Sequence, residues 1–321
     1  MPGRLSLAVV AALIATGCGA GTDQQAPEPR LPSSPWQSAM PQQEGIELHT
    51  IDQADLTGVT SLLVARHGRL VVERYYGIQA ADRVPVFSIT KSVVSTLVGI
   101  ALAEGRLRSV DERLAELLPG ADRRITLRHL LSMTAGYGRA LNYGPTDAST
   151  LANRPLVSPP GTTFRYDSGS SDLLAAVLAR VTGMTAAEYA QRRLFGPLGI
   201  RDVRWPGSHG GSGLVLRPRD LLAFGQLYLD GGTWKGKRIV PASWVRTSTS
   251  AHIAVPPGQG LTSSYGYDWW VETRRGRFFE AHGYLGQVLA VFPRLDEVVL
   301  VTSSGAGTTD VVRRVVAATR P

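Results

Sequence analysis

An α+β fold is predicted: an antiparallel β-sheet built from both chain ends, flanked by helices, with a mostly helical region inserted between its halves. Three observations predict it. Two β-rich runs, 59–65 and 70–76, surround Arg66-His67-Gly68-Arg69, which is a hairpin pattern. Four more strand-like runs, 265–271, 278–282, 288–292 and 298–302, follow one another at hairpin spacing near the other end. Between the two groups, apolar residues recur at helical intervals and Gly or Pro punctuates them. Strands at both ends with helices between fit one sheet closed by distant segments.

Residues 1–18 read as a lipoprotein-type signal peptide. Arg4 supplies the positive start, and 5–15 is apolar but too short to span a bilayer as a stable helix. Ala15-Thr16-Gly17-Cys18 is similar to a bacterial lipoprotein box, with Ala15 where that box usually has Leu. Cys18 is the only cysteine, so no intramolecular disulfide forms, and a lipid on Cys18 explains it. Ordinary cleavage near Gly19-Ala20 is the alternative. The expected location is the outer face of a bacterial membrane. Residues 19–45, rich in Pro, Gln, Ser and Gly, read as a disordered tether. No second linker follows, so 46–321 is expected to be one folded unit. Its 43% hydrophobic content is enough for a sizeable core. The net charge is +8, but the arginines are scattered, which argues against a nucleic-acid surface.

Along the chain, 93–102 is apolar almost all round, so it reads as a buried helix, with Gly105 as its C-cap. A short amphipathic helix is expected over 111–118, stopped by Pro119-Gly120. Another covers 125–134, capped by Thr126. Residues 137–160 are loop-rich and suited to lining a cleft. Helical periods return at 172–181, 188–194, 218–229 and 241–245. The glycine-rich loop 206–213 matches no phosphate-binding spacing and reads as a plain connection. A closing helix over 309–319 carries Val311, Val312, Val315 and Val316 on one face.

The chemistry centres on Ser88-Ile89-Thr90-Lys91. Lys91 lies inside an apolar run, where an ammonium is costly unless it finds partners or gives up its proton. Ser88 is three residues earlier, on the same helical face and at the helix start, where the backbone dipole favours developing negative charge. A hydroxyl, a desolvated amine and a helix N-terminus together make an activated nucleophile. The structural alternative is a Ser88 cap with Lys91 reaching out to solvent. Only three lysines occur among 34 basic residues, so a lysine kept at this position favours the chemical reading. His49, His67, His129, His209 and His252 show no paired spacing, so no metal site and no cofactor is expected. Trp205, Trp234, Trp269 and Trp270 could line an apolar pocket or pack in the core.

Taken in order, these pieces resemble the serine β-lactamase and penicillin-binding-protein superfamily, in its class C-like branch, over about 58–320. That branch includes esterases, D-amino-acid peptidases and 6-aminohexanoate-dimer-type hydrolases. Ser88-Ile89-Thr90-Lys91 is similar to its Ser-x-x-Lys, and Tyr166-Asp167-Ser168 to its Tyr-x-Asn or Tyr-x-Ser. Residues 130–136 and 219–225 resemble structural landmarks of the branch. Ala281-His282-Gly283-Tyr284 stands where the family has Lys-Thr-Gly, so the lysine that binds a β-lactam carboxylate is absent. The resemblance implies Ser88 as nucleophile, Lys91 as base and Tyr166 as second acid/base, with Ser168 a polar contact to substrate or Lys91, or else a helix cap. With Gly283 on the family's Gly, the Tyr284 amide joins that of Ser88 in an oxyanion hole. A second register puts His282 on the Lys. The implied function is a secreted or lipid-anchored serine hydrolase acting on a small ester, amide or peptide-like substrate. A β-lactamase or D-alanyl carboxypeptidase, and a catalytically silent envelope sensor, are the alternatives.

Overall fold

The computed structural model describes residues 36–138, 147–260, 262–274, 277–305 and 308–320. The signal, Cys18 and most of the tether lie outside them, but the end of the tether does not. Trp36 is buried, and β1 (Gln37–Ser38) pairs in parallel with the sheet edge. A 3₁₀ turn, Pro41–Glu44, follows. Its Glu44 is buried 2.7 Å from His67 Nδ1 and 3.0 Å from Arg69 Nη1. The folded unit therefore includes 36–45, which composition assigned to the tether. One indole and one paired carboxylate are enough to hold an otherwise polar segment.

Among the described residues one nine-stranded sheet dominates. A hairpin of β2 (Val59–Arg66) and β3 (Arg69–Tyr75) comes from the N-terminal side. The C-terminal side supplies β4 (Ile253–Ala254), β5 (Ser264–Tyr265), β6 (Trp270–Glu272), β7 (Phe278–Gly283), β8 (Gln287–Phe292) and β9 (Glu297–Ser303). The order is β1-β3-β2-β9-β8-β7-β6-β5-β4, and every pair except β1–β3 is antiparallel. The two ends meet where β2 lies against β9, with Leu63 opposite Leu300.

The central strands are apolar on both faces because both are covered. The long helices are α1 (Ile89–Ala103), α2 (Ser168–Thr182), α3 (Pro218–Leu229) and α4 (Thr308–Ala318). Leu62, Val64, Ala290, Val299 and Val301 cluster with Val311, Val312 and Val315 of α4. The alternate residues Leu63, Ala65, Leu289, Val291 and Leu300 pack into the larger core with α1, α2 and α3. The expected two-sided α+β arrangement is present.

Two expected elements differ. The run 265–271 is a tight hairpin, in which Tyr265 pairs directly with Trp270. Asp268 makes the reversal with φ 58°, and its N–H leaves the sheet to donate to Leu131 O at 2.8 Å. A string of aromatic residues satisfies strand propensity whether the chain runs straight or doubles back. The helix expected over 111–118 is reduced to Leu114–Leu117.

Candidate active site

Ser88 stands at the start of α1, after Phe87, whose φ of 47° is unusual for a residue with a side chain. The Ser88 side chain caps no helix N–H, so the cap alternative fails. Lys91, one turn on, is 1% exposed, so it does not reach solvent either. Its Nζ is 2.9 Å from Ser88 Oγ and donates to Gly211 O at 2.6 Å. α1 fixes the first contact by its pitch, and the second comes from 120 residues away.

That second contact corrects the reading of 206–213 as a plain connection. The strand entering the Ser88 turn, Val84–Pro85, pairs with Val215–Leu216 just after the loop. Gly210 and Gly211 then press on the first turn of α2. A Cβ on Gly210 would lie 1.8 Å from Ser171 O, and one on Gly211 would lie 2.9 Å from Ser168 Cβ. Only glycine permits this approach, so the composition that signals a loop here serves backbone contact. The Gly211 N–H donates to Asp172 Oδ1 at 2.8 Å.

Ser168 is the first residue of α2, half-buried against Gly211, and the capping role belongs to Asp167. The buried Asp167 carboxylate accepts from Gly169 N and Ser170 N. It also takes both arms of Arg154, at 3.0 and 2.7 Å. This arrangement anchors the Tyr166 segment over α1.

Tyr166 is brought to Lys91 by its ring face, whose centroid is 5.0 Å from Nζ. Its hydroxyl makes no hydrogen bond to Ser88 or Lys91 among the described residues. The ring is stacked on Trp270 (5.6 Å, 17°), meets Tyr265 edge-on at 6.3 Å and is 37% exposed. Trp269, Trp205 and Trp234 pack in the core, whereas the buried Trp270 supports the site.

Asp268, under this group, is a fully buried carboxyl. Its Oδ1 is 3.5 Å from both Ser171 Oγ and Tyr265 Oη, and its Oδ2 has no partner. Burial pushes its pKa well above the usual carboxylate range, against the opposing pull of the Lys91 charge and the two hydroxyls. Its backbone oxygen accepts from Ser92 Oγ at 2.6 Å, tying the β5–β6 turn to α1.

The third motif ends β7. Gly283 lies so close to the Ser88 turn that a Cβ would be 2.3 Å from Val86 O. Tyr284 follows, 72% exposed, with its ring edge-on to Phe87 at 5.7 Å. Gln287 Nε2 donates to Tyr284 O and Ser303 O, which holds the turn. His282 directly precedes Gly283 at the end of β7. Its Nε2 lies 2.8 Å from Glu280 Oε1, off the line of a hydrogen bond, two residues back on the same strand.

The structure thus gathers Ser88, Lys91 and Tyr166, brings Gly283 and Tyr284 alongside, and turns His282 toward Glu280. Gly211, Asp172 and Asp268 are the neighbours that sequence reasoning missed, and Trp270 is the one of the four tryptophans considered for a pocket that backs Tyr166. The one available signal was paired glycines, Gly210-Gly211, inside an otherwise unexplained loop.

A family model described as Beta-lactamase matches residues 49–319. A 6-aminohexanoate-dimer hydrolase of Paenarthrobacter ureafaciens is 27% identical over 287 residues, which cover 77% of this chain and 73% of that protein. A D-aminopeptidase of Cereibacter sphaeroides is 26% identical over 272 residues, covering 68% of this chain and 51% of that protein. The chain therefore spans about half the length of that relative. The penicillin binding protein from Bacillus halodurans has the same fold, with a TM-score of 0.71 at 18% identity over 84% of this chain and 99% of that one. With the family match running from before β2 to the end of α4, and the Ser88–Lys91 pair inside it, the chain belongs to the beta-lactamase family as a serine-hydrolase-type member.

Proposed function

We propose that the protein cleaves an ester or amide bond through an acyl-enzyme on Ser88. The observation that carries this reading is the sealed Lys91 amine, 2.9 Å from Ser88 Oγ. As a free amine, Lys91 accepts the Ser88 proton while Oγ attacks the substrate carbonyl. The Ser88 and Tyr284 N–H groups receive the developing oxyanion, a role supported by the close approach of Gly283 to Val86. Tyr166 donates its hydroxyl proton to the leaving group and takes one back from the attacking water, while Lys91 returns its proton to Ser88 Oγ as the acyl group departs. Its exposed ring leaves that hydroxyl able to meet a bound substrate. Ser168 and Gly283 border the reacting carbonyl.

The third motif supports an uncharged acyl substrate rather than a β-lactam. It has no lysine, His282 is turned to Glu280, and the group offered at the rim is the Tyr284 ring. Intact mass after a fluorophosphonate tests the reading: one adduct is expected, absent in Ser88→Ala. No adduct, or an equal one in Ser88→Ala, overturns it. Turnover of a p-nitrophenyl ester separates an enzyme from a silent sensor, and nitrocefin is expected to stay intact. Export and anchoring through Cys18 belong to the same proposal. Incorporation of labelled palmitate, lost in Cys18→Ser, is the expected result.

A further inference from the structure

Besides Ser88 Oγ, Lys91 Nζ meets a carbonyl, and that carbonyl belongs to a residue with no side chain to anchor it. A carbonyl oxygen can only accept, so Gly211 O must take one N–H of the amine. An N–H held at Gly211 O restricts rotation about Cε–Nζ and leaves the other N–H and, in the free amine, the lone pair for the remaining neighbours, Ser88 Oγ among them. The position of the Gly211 carbonyl therefore limits the ways in which the amine can be aimed.

Loop 206–213 contains Gly207, Gly210, Gly211 and Gly213, and it is tied down from outside. At its front, Trp205 Nε1 donates to His209 O at 2.9 Å. At its centre, the Gly211 N–H donates to Asp172 Oδ1 at 2.8 Å. The N-terminus of α2 does not require Asp172, because Asp167 already caps it. Among the described residues Asp172 has no ion pair, and its side-chain hydrogen bond is the one to the loop.

We propose that Asp172 is a positioning residue for Lys91: by holding the Gly211 amide, it keeps the Gly211 carbonyl against the Lys91 amine. The inference rests on the reading of Ser88 and Lys91 as nucleophile and base. What acts is the acceptor oxygen of Asp172, not its charge, since an N–H donor needs only a lone pair to meet. Small displacements of a group that aims a reacting atom are costly in rate, so loss of this contact lowers acylation about tenfold or more.

The test compares full-length wild type, Asp172→Ala, Asp172→Leu and Asp172→Asn, with Ser88→Ala as control. The readouts are the second-order rate of fluorophosphonate capture, kcat and KM for p-nitrophenyl acetate, and the melting temperature. Asp172→Ala and the shape-matched Asp172→Leu are expected to lose capture rate and kcat together, with KM and melting temperature little changed. Asp172→Asn, which keeps an acceptor oxygen, is expected to react close to the wild-type rate. Wild-type capture in a folded acceptor-free variant overturns the proposal, as does an Asp172→Asn as slow as Asp172→Ala. If wild type itself is not labelled at Ser88, the functional reading fails instead, which keeps the two failures apart.

Discussion

At the scale of single residues, the site depends on denying water to one amine. Lys91 Nζ meets Ser88 Oγ and Gly211 O, the Tyr166 ring face stands 5.0 Å away, and the buried Asp268 carboxyl feels its charge. Lys91→Met keeps the length of the side chain and removes the base. Capture of a fluorophosphonate by Ser88 is expected to slow by about 10²–10⁴-fold, the usual worth of a positioned base. Circular dichroism should show the fold retained, because methionine fills nearly the same buried space with no charge to desolvate. Tyr166→Phe should divide substrates by leaving group. A p-nitrophenolate leaves without a proton, whereas an alkyl alcohol or amine needs one, so the loss in kcat is expected to be larger for an alkyl ester or an amide.

At the scale of elements, the site is assembled by helix starts and strand ends. The first turn of α1 carries Ser88 and Lys91, the first turn of α2 backs the glycine loop, and the end of β7 carries Gly283 and Tyr284. The most vulnerable of these junctions is the start of α2. Asp167 there is buried, accepts two helix N–H groups and is gripped by Arg154. Asp167→Ala strands the half-buried Arg154 guanidinium and two amides. Removing one partner of such a pair costs about 3–5 kcal/mol. Urea unfolding should show that loss, whereas exposed Arg124→Ala, which breaks a surface pair with Asp122, should change stability by less than about 1 kcal/mol. Equal effects of the two substitutions would contradict the role given to Asp167.

At the scale of the whole molecule, the chain ends are clasped across the sheet, and the clasp is sensitive to pH. Glu297 is buried on β9 opposite Arg66 of β2, with Thr319 Oγ1 donating to one carboxyl oxygen at 2.9 Å. Burial pushes its pKa up to about 7, more than Thr319, Arg66 and His67 pull it down. An acid whose pKa is raised by folding holds its proton in the native state after the unfolded chain has lost it. Its contribution is present at low pH and is lost as pH rises from the ordinary carboxylate range to about 7. A shift of this size corresponds to about 3 kcal/mol. Glu297→Gln cannot ionise and still accepts from Thr319, so it should match wild type near pH 4 and be the more stable protein at pH 8. Denaturant midpoints across that range measure it, and parallel curves would rule the account out.

Which parts of this were legible beforehand follows the range of the forces involved. Local patterns announced the β2–β3 hairpin, the buried α1 and the apolar face of α4, because propensity and periodicity act over a few residues. The Ser88–Lys91 contact was legible for the same reason: a spacing of three puts both side chains on one helix face. The 265–271 run was misread because Asp268 reverses the chain with help from Leu131, a partner that local sequence does not reveal. Residues 36–45 were misread because Trp36 and Glu44 are held by distant side chains. By itself, then, the sequence determined the layered α+β core and the placing of Ser88 beside Lys91, since both arise from neighbours along the chain. Only the tertiary structure decided that Tyr166 presents its ring face to Lys91, that His282 turns to Glu280 and that a glycine loop reaches Lys91. Those contacts join segments far apart in the chain, and packing alone chooses among the pairings that local sequence allows.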